Sequence, residues 1–163
     1  MMRRLVVMRH AKSSWEEAAA TDHARRLTTR GREDALRMGA ALVDRGWIPD
    51  LVLSSDSQRT RETFTEMSMA FPNAVAARFL PAFYHAGPEA LQVELPEVPD
   101  RVGCLLVLGH NPGWESAVSL LTGEGVVMTT ATAALLSIGR KNWSAMITPG
   151  SWALEGVLNP REL

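Results

Sequence analysis

Four side chains of this sequence that could do chemistry stand just after short apolar runs. They are two arginines and two histidines: Arg9, His10, Arg59 and His110. Arginine donates planar, paired hydrogen bonds to phosphate oxygens, and such charge-assisted bonds are about twice as strong as neutral ones. Two guanidinium groups and two imidazoles at one place would therefore form a concentrated anion site. The residue types predict that a phosphoryl group binds there.

The position of these four residues matters more than the presence of any one of them. A single arginine at a strand end is most often a solvated charge, and a single histidine is most often structural. The occurrence of all four after apolar runs favours a common site instead. The histidines His23 and His85 belong to no comparable cluster, and for these two we keep the interpretation as ordinary structural side chains.

Two other kinds of site are not indicated. The sequence has no Cys-x-x-Cys pair and no His-Glu-x-x-His helix, and its four histidines are too dispersed to show the spacing of metal ligands. No glycine-rich loop ending in Gly-Lys-Ser or Gly-Lys-Thr follows an apolar run, as a nucleotide-binding P-loop would require. We therefore expect neither a metal ion nor a cofactor.

The elements that must position the four residues are read from the apolar runs. Residues 5–8, 51–53 and 104–108 are short and rich in Val and Leu, and segments of helical period separate them. This alternation predicts an α/β domain with three layers, in which helices cover both faces of a mostly parallel sheet. In such sheets ligands bind beyond the carboxyl ends of the strands, so the polar clusters should meet at one edge.

Helix signals lie between these runs. We predict one helix that begins at the cap Thr28-Thr29, ends at Gly46 and has one apolar face: Ala35, Leu36, Gly39, Leu42 and Val43. A second helix would be capped by Asp56 or Ser57 and stop before Pro72. Its inward face is predicted to hold Thr60, Thr63, Phe64 and Met67.

The last third of the chain has clear boundary residues. Asn111 is predicted to cap a helix that has Pro112 at its first position and Gly123 just past its end; its buried face would hold Trp114, Ala117, Val118 and Leu121. Residues 131–138 and 144–154 are predicted to form two strands joined through Gly-Arg-Lys-Asn. The proline-rich stretch 81–101 is predicted to be loop with one short helix after Pro88.

Length and composition limit the function classes. The chain has 163 residues, of which 46% are apolar, so we expect a single domain over 1–163. A formal charge of -1 gives no reason to expect nucleic acid or an anionic membrane as a partner. The apolar start is too short for a signal peptide and no stretch approaches about 18 apolar residues. We expect a cytoplasmic protein in which the lone Cys104 is a small buried side chain; the sequence says nothing about its oligomeric state.

Three motifs, taken in order, resemble a known family. "RHAKSSW", "SSDSQRTRET" and "GHNP" are similar to the motifs of the histidine phosphatase superfamily, most closely its SixA-like phosphohistidine phosphatases. The resemblance covers nearly the whole chain and implies a phosphoglycerate mutase-like fold. It implies that His10 is the nucleophile, that Arg9 and Arg59 hold the phosphoryl oxygens, and that His110 completes the pocket. Ala11 stands where many members have glycine.

Residues beside these motifs are expected to complete the binding site. Ser13 and Asn111 are predicted to contribute to phosphate binding. Lys12, Ser14 and Trp15 follow the nucleophile, and Trp15 and Tyr84 are candidate contacts to a partner. An ordinary half-buried aromatic side chain is an equally good interpretation of Trp15.

The expected substrate depends on a missing carboxylate. Many larger relatives have a general acid after the third strand, where this chain has Ala82 in "RFLPAFYHAG". The imidazole of phosphohistidine leaves more readily than an alkoxide, so this absence favours a phosphohistidine protein as substrate. Glu89 and His85 lie near enough in sequence to be substitute acids. Two alternatives stay open: a phosphatase of small phosphate monoesters, and a phosphohistidine-binding regulatory module without turnover.

Overall fold

A mixed β-sheet forms the centre of the protein in the computed structural model, which describes residues 2–15, 21–140, 142–144 and 147–163. The strands that these residues form are β1 (Met2–Arg9), β2 (Leu51–Ser55), β3 (Ala76–Leu80), β4 (Cys104–Gly109), β5 (Ala133–Gly139) and β6 (Ala153–Leu158). Their order across the sheet is β3-β2-β4-β1-β5-β6. The first four of this order are parallel, and β5 and β6 are antiparallel additions.

Helices cover both faces of the sheet. The α-helices of the described residues are α1 (Thr29–Asp44), α2 (Gln58–Ser68), α3 (Pro88–Glu94) and α4 (Gly113–Thr122). Side chains of α1 and α2 pack on one face, and those of α3 and α4 on the other. None of these helices is long and apolar enough to cross a membrane. The predicted three-layer α/β/α architecture is confirmed.

The strands β1, β2 and β4 carry apolar runs because both of their faces are buried there. In β1, Leu5 and Val7 belong to the core cluster under α3 and α4, whereas Val6 and Met8 belong to the cluster under α1 and α2. Successive side chains of a strand point to opposite faces, so a strand covered on both sides needs an unbroken apolar run. This is the physical reason why the three runs predicted β1, β2 and β4.

The register of the sheet brings the ends of β1, β2 and β4 together. Arg9 pairs with Gly109 across β1 and β4, and Ser54 pairs with Leu108 across β2 and β4. Because these strands are parallel, the residues that follow them leave the sheet at one edge. The three polar clusters predicted from the sequence therefore lie side by side.

The first two helices begin where predicted. Thr28 caps α1 by accepting a hydrogen bond from the Gly31 amide at 3.0 Å. Of the two candidate caps of α2, Ser57 is the one that accepts from a helix amide. The predicted inward face of α1 is wrong at Leu36, which is 41% exposed. The buried stripe is centred on Ala35, Met38 and Leu42, and Leu36 falls on its solvent side.

Two boundaries near the end of the chain differ from the predictions. Asn111 does not cap α4; Pro112 occupies the cap position and the helix begins at Gly113. The Asn111 amide nitrogen instead donates to the Met128 carbonyl at 2.7 Å, which directs the side chain away from the helix amides. The predicted buried face of α4 is confirmed, with all four residues inside.

The strand predicted over 144–154 is also wrong in extent, because β6 begins only at Ala153. Before it, Trp143 and Trp152 pack into the core: both are buried and their rings are stacked, with centroids 6.2 Å apart. They belong to the connection between β5 and β6. Residues 141, 145 and 146 of the predicted hairpin lie outside the described residues.

Cys104 is a buried side chain, as predicted. Burial, with a smaller effect of Asp50, raises the pKa of its thiol to about 12. The group stays protonated near neutral pH, and a protonated thiol is a poor nucleophile. The single cysteine therefore acts as a small core side chain.

Candidate active site

A pocket of about 240 Å³ opens at the carboxyl edge of the parallel strands. The six residues predicted to form the site all line it: Arg9, His10, Ser13, Arg59, His110 and Asn111. They come from the ends of β1 and β4 and from the first turn of α2. The topology thus brings together groups that are up to a hundred residues apart in sequence.

His10 is held rigidly at the base of this pocket, with only 7% of its surface exposed. Its backbone amide donates to Gly109 at 3.0 Å, and its carbonyl accepts from Ala131 at 2.9 Å. The ring Nδ1 lies 2.7 Å from the Ala11 carbonyl, so Nδ1 carries the proton and donates. Nε2 then holds a lone pair and has no partner among the described residues.

The environment of His10 keeps its ring neutral. Burial lowers the pKa of His10 to about 3; the hydrogen bond to Ala11 opposes this effect, and the charges of Arg59 and Arg9 add to it. A neutral imidazole with a free Nε2 is the form that attacks electrophiles. The ring is therefore in the form that can act as a nucleophile across the physiological pH range.

The two arginines on either side of His10 are held by protein groups. Arg59 Nη1 donates to the Asp22 carbonyl at 2.8 Å, and Nη2 donates to the Asp22 carboxylate at 3.1 Å. Arg9 Nη1 donates to the Met128 carbonyl at 3.0 Å. The Nε atoms of both arginines are buried without a hydrogen-bond partner. Buried donors of this kind are rare unless a ligand satisfies them.

His110 is the second imidazole at the base of the pocket, with its ring centroid 5.2 Å from that of His10. Arg59 Nη2 lies 3.4 Å from Nδ1, which must therefore be the acceptor. Nε2 then carries the proton and donates to the Ser55 hydroxyl at 2.9 Å. Burial, followed by the neighbouring charges of His10 and Arg59, lowers the pKa of His110 to about 2.

Ser13 and Asn111 reach the pocket, but their hydrogen bonds are made to protein groups. The Ser13 hydroxyl accepts from Arg25 Nη2 at 2.6 Å. The Asn111 amide and Arg9 both donate to the Met128 carbonyl. These contacts fix the walls of the pocket on either side of His10.

Two further residues, Asp22 and Arg25, line the pocket although no sequence pattern singled them out. The Asp22 carboxylate accepts hydrogen bonds from Arg25 at 2.8 Å, from Arg59 and from the Tyr84 hydroxyl. Both residues lie in a loop with a short 3-10 turn, where no apolar run marks a strand end. The signal available in the sequence was the spacing of the acidic Asp22 and the basic Arg25, which at three residues apart can form an ion pair.

The interpretation of His85 as a residue outside the site is wrong. Its Nε2 lies 3.0 Å from the Asp22 carboxylate, and its ring centroid is 4.8 Å from that of His110. It lines the same pocket. The loop after β3 folds back over the edge of the sheet, a path that the sequence pattern did not reveal. His23 lies beside the pocket and pairs with Asp56 at 2.9 Å.

Trp15 is not half-buried but 76% exposed, and it forms part of the pocket rim. The guanidinium of Arg25 lies over its ring at 3.2 Å from the centroid. Stacking of this kind holds a large aromatic surface at the mouth of the pocket. Trp15 is thus available to a molecule that approaches the pocket.

The other candidate acids lie elsewhere. Glu89 is at the start of α3, where it accepts a hydrogen bond from the Gly87 amide at 2.8 Å, and neither Glu89 nor Ala82 lines the pocket. Among the described residues, no three His, Cys, Asp or Glu side chains are grouped so as to hold a metal ion. The polar groups that the pocket presents include imidazoles, guanidinium groups and the Asp22 carboxylate.

Comparison with known proteins identifies the family. Residues 5–82 match the profile of the histidine phosphatase superfamily, branch 1. An uncharacterized chloroplastic protein of Arabidopsis thaliana is 38% identical over 97% of this chain and 78% of its own length.

Two solved structures are similar over nearly their whole length. A protein assigned as the phosphohistidine phosphatase SixA of Nakamurella multipartitia is 27% identical with a TM-score of 0.84, covering 98% of this chain and 97% of that one. The protein assigned as SixA of Agrobacterium tumefaciens is also 27% identical, with a TM-score of 0.80 over 97% and 98% of the two chains. These similarities support a phosphatase. The chain belongs to the histidine phosphatase superfamily and has the fold of its SixA-like members.

Proposed function

We propose that this protein is a phosphatase with a histidine nucleophile and that its substrate is phosphohistidine on a partner protein. The observation that carries the proposal is the state of His10. It is a buried, neutral imidazole whose Nδ1 is held by the Ala11 carbonyl, and it lies in a pocket with Arg9 and Arg59. A free Nε2 beside two cations is what attack on a phosphoryl group requires.

The reaction has two steps. In the first, the lone pair of His10 Nε2 forms a bond to phosphorus while the bond from phosphorus to the leaving nitrogen breaks. In the second, the oxygen of a water molecule bonds to phosphorus and the bond to Nε2 breaks, which releases inorganic phosphate. The Ala11 carbonyl accepts the hydrogen bond from Nδ1–H throughout and stabilises the ring while it carries the phosphoryl group.

Arg9 and Arg59 hold the phosphoryl oxygens in both steps. His110, whose ring nitrogens are bonded to Arg59 and Ser55, completes the pocket beside them. Two opposite unit charges about 4 Å apart attract each other by about 4 kcal/mol at an effective dielectric of about 20. Two guanidinium groups therefore offset much of the repulsion between the negative charges of the phosphoryl group. The buried Nε atoms of the two arginines lack acceptors, and a phosphoryl oxygen is the acceptor that arginine pairs with best. Ser13 and Asn111 adjoin this group and complete the binding site.

The nature of the leaving group favours phosphohistidine. Expulsion of an alkoxide needs a stronger proton donor than departure of an imidazole does, and neither the Glu89 nor the Asp22 carboxyl group provides one. Glu89 does not line the pocket. Asp22 does, but its hydrogen bonds from Tyr84, Arg25 and His85 outweigh the effect of burial and hold its pKa well below the usual range, so it is ionised.

The shape of the pocket mouth favours a protein substrate. The described chain between α2 and β4 forms one strand, short 3-10 turns and the seven-residue α3, which is little material for a lid. The exposed Trp15 and the side chain of Lys12 lie at the rim. A phosphorylated histidine that projects from a partner can reach His10 while the partner contacts Trp15.

A substrate panel tests the proposal. Rates are compared for a protein phosphorylated on histidine, for an aryl phosphate and for an alkyl phosphate. We expect the phosphohistidine protein to have the highest kcat/KM and the alkyl phosphate the lowest. Efficient alkyl phosphate hydrolysis would favour a phosphatase of small monoesters, and binding without turnover of any of the three would favour a regulatory module.

A further inference from the structure

We propose that His85 is the general acid and base of this reaction and that Asp22 is its positioning residue. The proposal rests on the function proposed above and assigns the proton transfer that the missing carboxylate leaves open. Neither residue belongs to the motifs that identify the phosphoryl-binding group. Their placement in the pocket is evident only from the structure.

The geometry pairs the two residues at the pocket wall. His85 Nε2 lies 3.0 Å from the Asp22 carboxylate, so Nε2 carries a proton and donates it to a hydrogen bond. Nδ1 is then the atom that can gain and lose a second proton. The ring centroid lies 4.8 Å from that of His110, and the side chain is 51% exposed. A leaving group that departs towards the pocket mouth therefore meets His85.

Asp22 is itself fixed, which gives the pair a defined orientation. Its carboxylate accepts hydrogen bonds from three different parts of the chain: from Arg25, from Arg59 and from the Tyr84 hydroxyl. The carboxylate that orients His85 thus also binds the guanidinium that holds the phosphoryl group. This arrangement sets the distance between the proton donor and the phosphoryl site.

The backbone at His85 is in a conformation that a side chain rarely adopts. Its φ is 52°, in the left-handed region where residues other than glycine are uncommon, and such residues are concentrated at functional sites. The loop also approaches α4 very closely at the next residue. A Cβ on Gly113 would lie 1.7 Å from the Ala86 carbonyl oxygen, so only glycine allows this approach.

The other proton-bearing groups of the pocket are less suited to the task. Asp22 is ionised, as argued above. The Nδ1 of His110 accepts from Arg59, its Nε2 is engaged with Ser55, and its pKa of about 2 keeps the ring neutral. Histidine is the side chain whose charge ordinarily changes between about pH 5 and 8.

The proton balance closes over the two steps. As the bond between phosphorus and the leaving nitrogen breaks, that nitrogen keeps the electron pair and takes the proton from His85 Nδ1. His85 is then neutral. As water attacks the phosphorylated His10, His85 Nδ1 takes a proton from the water, and the starting state returns when phosphate leaves.

Leaving-group dependence distinguishes this role from a structural one. The variant His85→Gln is compared with the wild type on phosphohistidine and on 4-nitrophenyl phosphate, whose nitrophenolate leaves without a proton. We expect kcat/KM to fall about 100-fold on phosphohistidine, the lower end of general acid catalysis, and to change by less than about threefold on 4-nitrophenyl phosphate. The retained aryl activity shows that the variant is folded.

His23→Gln is the matched control. His23 is 43% exposed and pairs with a carboxylate at 2.9 Å, as His85 does at 3.0 Å, but it does not line the pocket. We expect its rates to fall equally little on both substrates. Equal effects of His85→Gln on the two substrates would overturn the role of His85. Failure of the wild-type protein to hydrolyse either substrate would instead overturn the proposed function.

Discussion

His10 and His110 are buried side by side in neutral form, and this makes the free energy of unfolding depend on pH. Their pKa values in the folded protein are about 3 and about 2, below the ordinary value of about 6.5 that they regain on unfolding. Between these values the unfolded chain binds more protons than the folded one. The free energy of unfolding therefore falls as the pH falls from about 6.5 towards 3.

The size of this effect can be tested with a neutral replacement. Each such histidine contributes about 2 kcal/mol to the loss of stability between about pH 7 and pH 5. The variant His110→Gln should lose about 2 kcal/mol less than the wild type over this interval, as measured by urea unfolding followed by tryptophan fluorescence. Parallel pH dependences of the two proteins would show that His110 is not held neutral.

The site residues that could be predicted from the sequence lie at the ends of buried strands, and the residues that were missed do not. Arg9 is the last residue of β1, and His10 and His110 directly follow β1 and β4. The rule for parallel sheets therefore places all three at one edge. Asp22 and His85 lie in loops whose paths depend on packing between distant segments. The approach of Ala86 to Gly113 is one such contact, and no local pattern announces it.

Among the elements, α2 has the most direct influence on the site, because Arg59 lies in its first turn. Its cap Ser57 is fully buried, and the hydroxyl accepts from the Thr60 amide at 3.4 Å and contacts the Thr60 hydroxyl at 2.8 Å. The cap thus ends the loop after β2 and orients the turn that carries the guanidinium. A substitution at the cap is therefore expected to shift the Arg59 guanidinium in the pocket.

A pair of cap variants separates stability from binding. Removal of a serine or threonine cap costs about 1 kcal/mol, so Ser57→Ala and Thr28→Ala should lower the free energy of unfolding to a similar extent. Only Ser57→Ala should also raise KM for an aryl phosphate, because α1 carries no residue of the pocket. An equal rise of KM in both variants would argue against a specific link from this cap to Arg59.

Elements with strong local signals were predicted well, and those set by tertiary packing were not. The caps Thr28 and Ser57 and the glycine after α4 mark helix ends by their own chemistry. The start of α4 was misplaced because the Asn111 side chain binds the Met128 carbonyl. Likewise, Trp143 and Trp152 are of a residue type that favours strands, but they lie buried in the connection between β5 and β6. Only the packing of the core around them determines this position.

At the scale of the whole molecule, the positive charge is concentrated locally. The chain as a whole has a formal charge of -1. At the carboxyl edge of the sheet, however, Arg9, Arg25 and Arg59 line one pocket together with the acidic Asp22. An oxyanion should therefore bind there although the molecule as a whole does not attract anions. Binding to the folded state alone must raise the free energy of unfolding.

Inorganic phosphate is the simplest probe of this property. At a concentration of about 100 times Kd, a single site stabilises the folded protein by about 2.7 kcal/mol, which a thermal or urea unfolding experiment detects. Arg59→Gln should abolish the stabilisation. Arg61→Gln is the control, because Arg61 is exposed on the same helix and donates to the Asp56 carbonyl. Stabilisation that is equal in both variants would place phosphate elsewhere.

The most direct test of the whole account is to trap the phosphorylated protein during turnover. The wild-type protein is mixed with a radiolabelled phosphohistidine substrate, quenched under denaturing alkaline conditions and mapped by mass spectrometry. The account predicts a phosphoryl group on His10, and neither label nor turnover in His10→Ala, which should keep its fold. Turnover by His10→Ala at the wild-type rate, or a phosphoryl group on another residue, would contradict it.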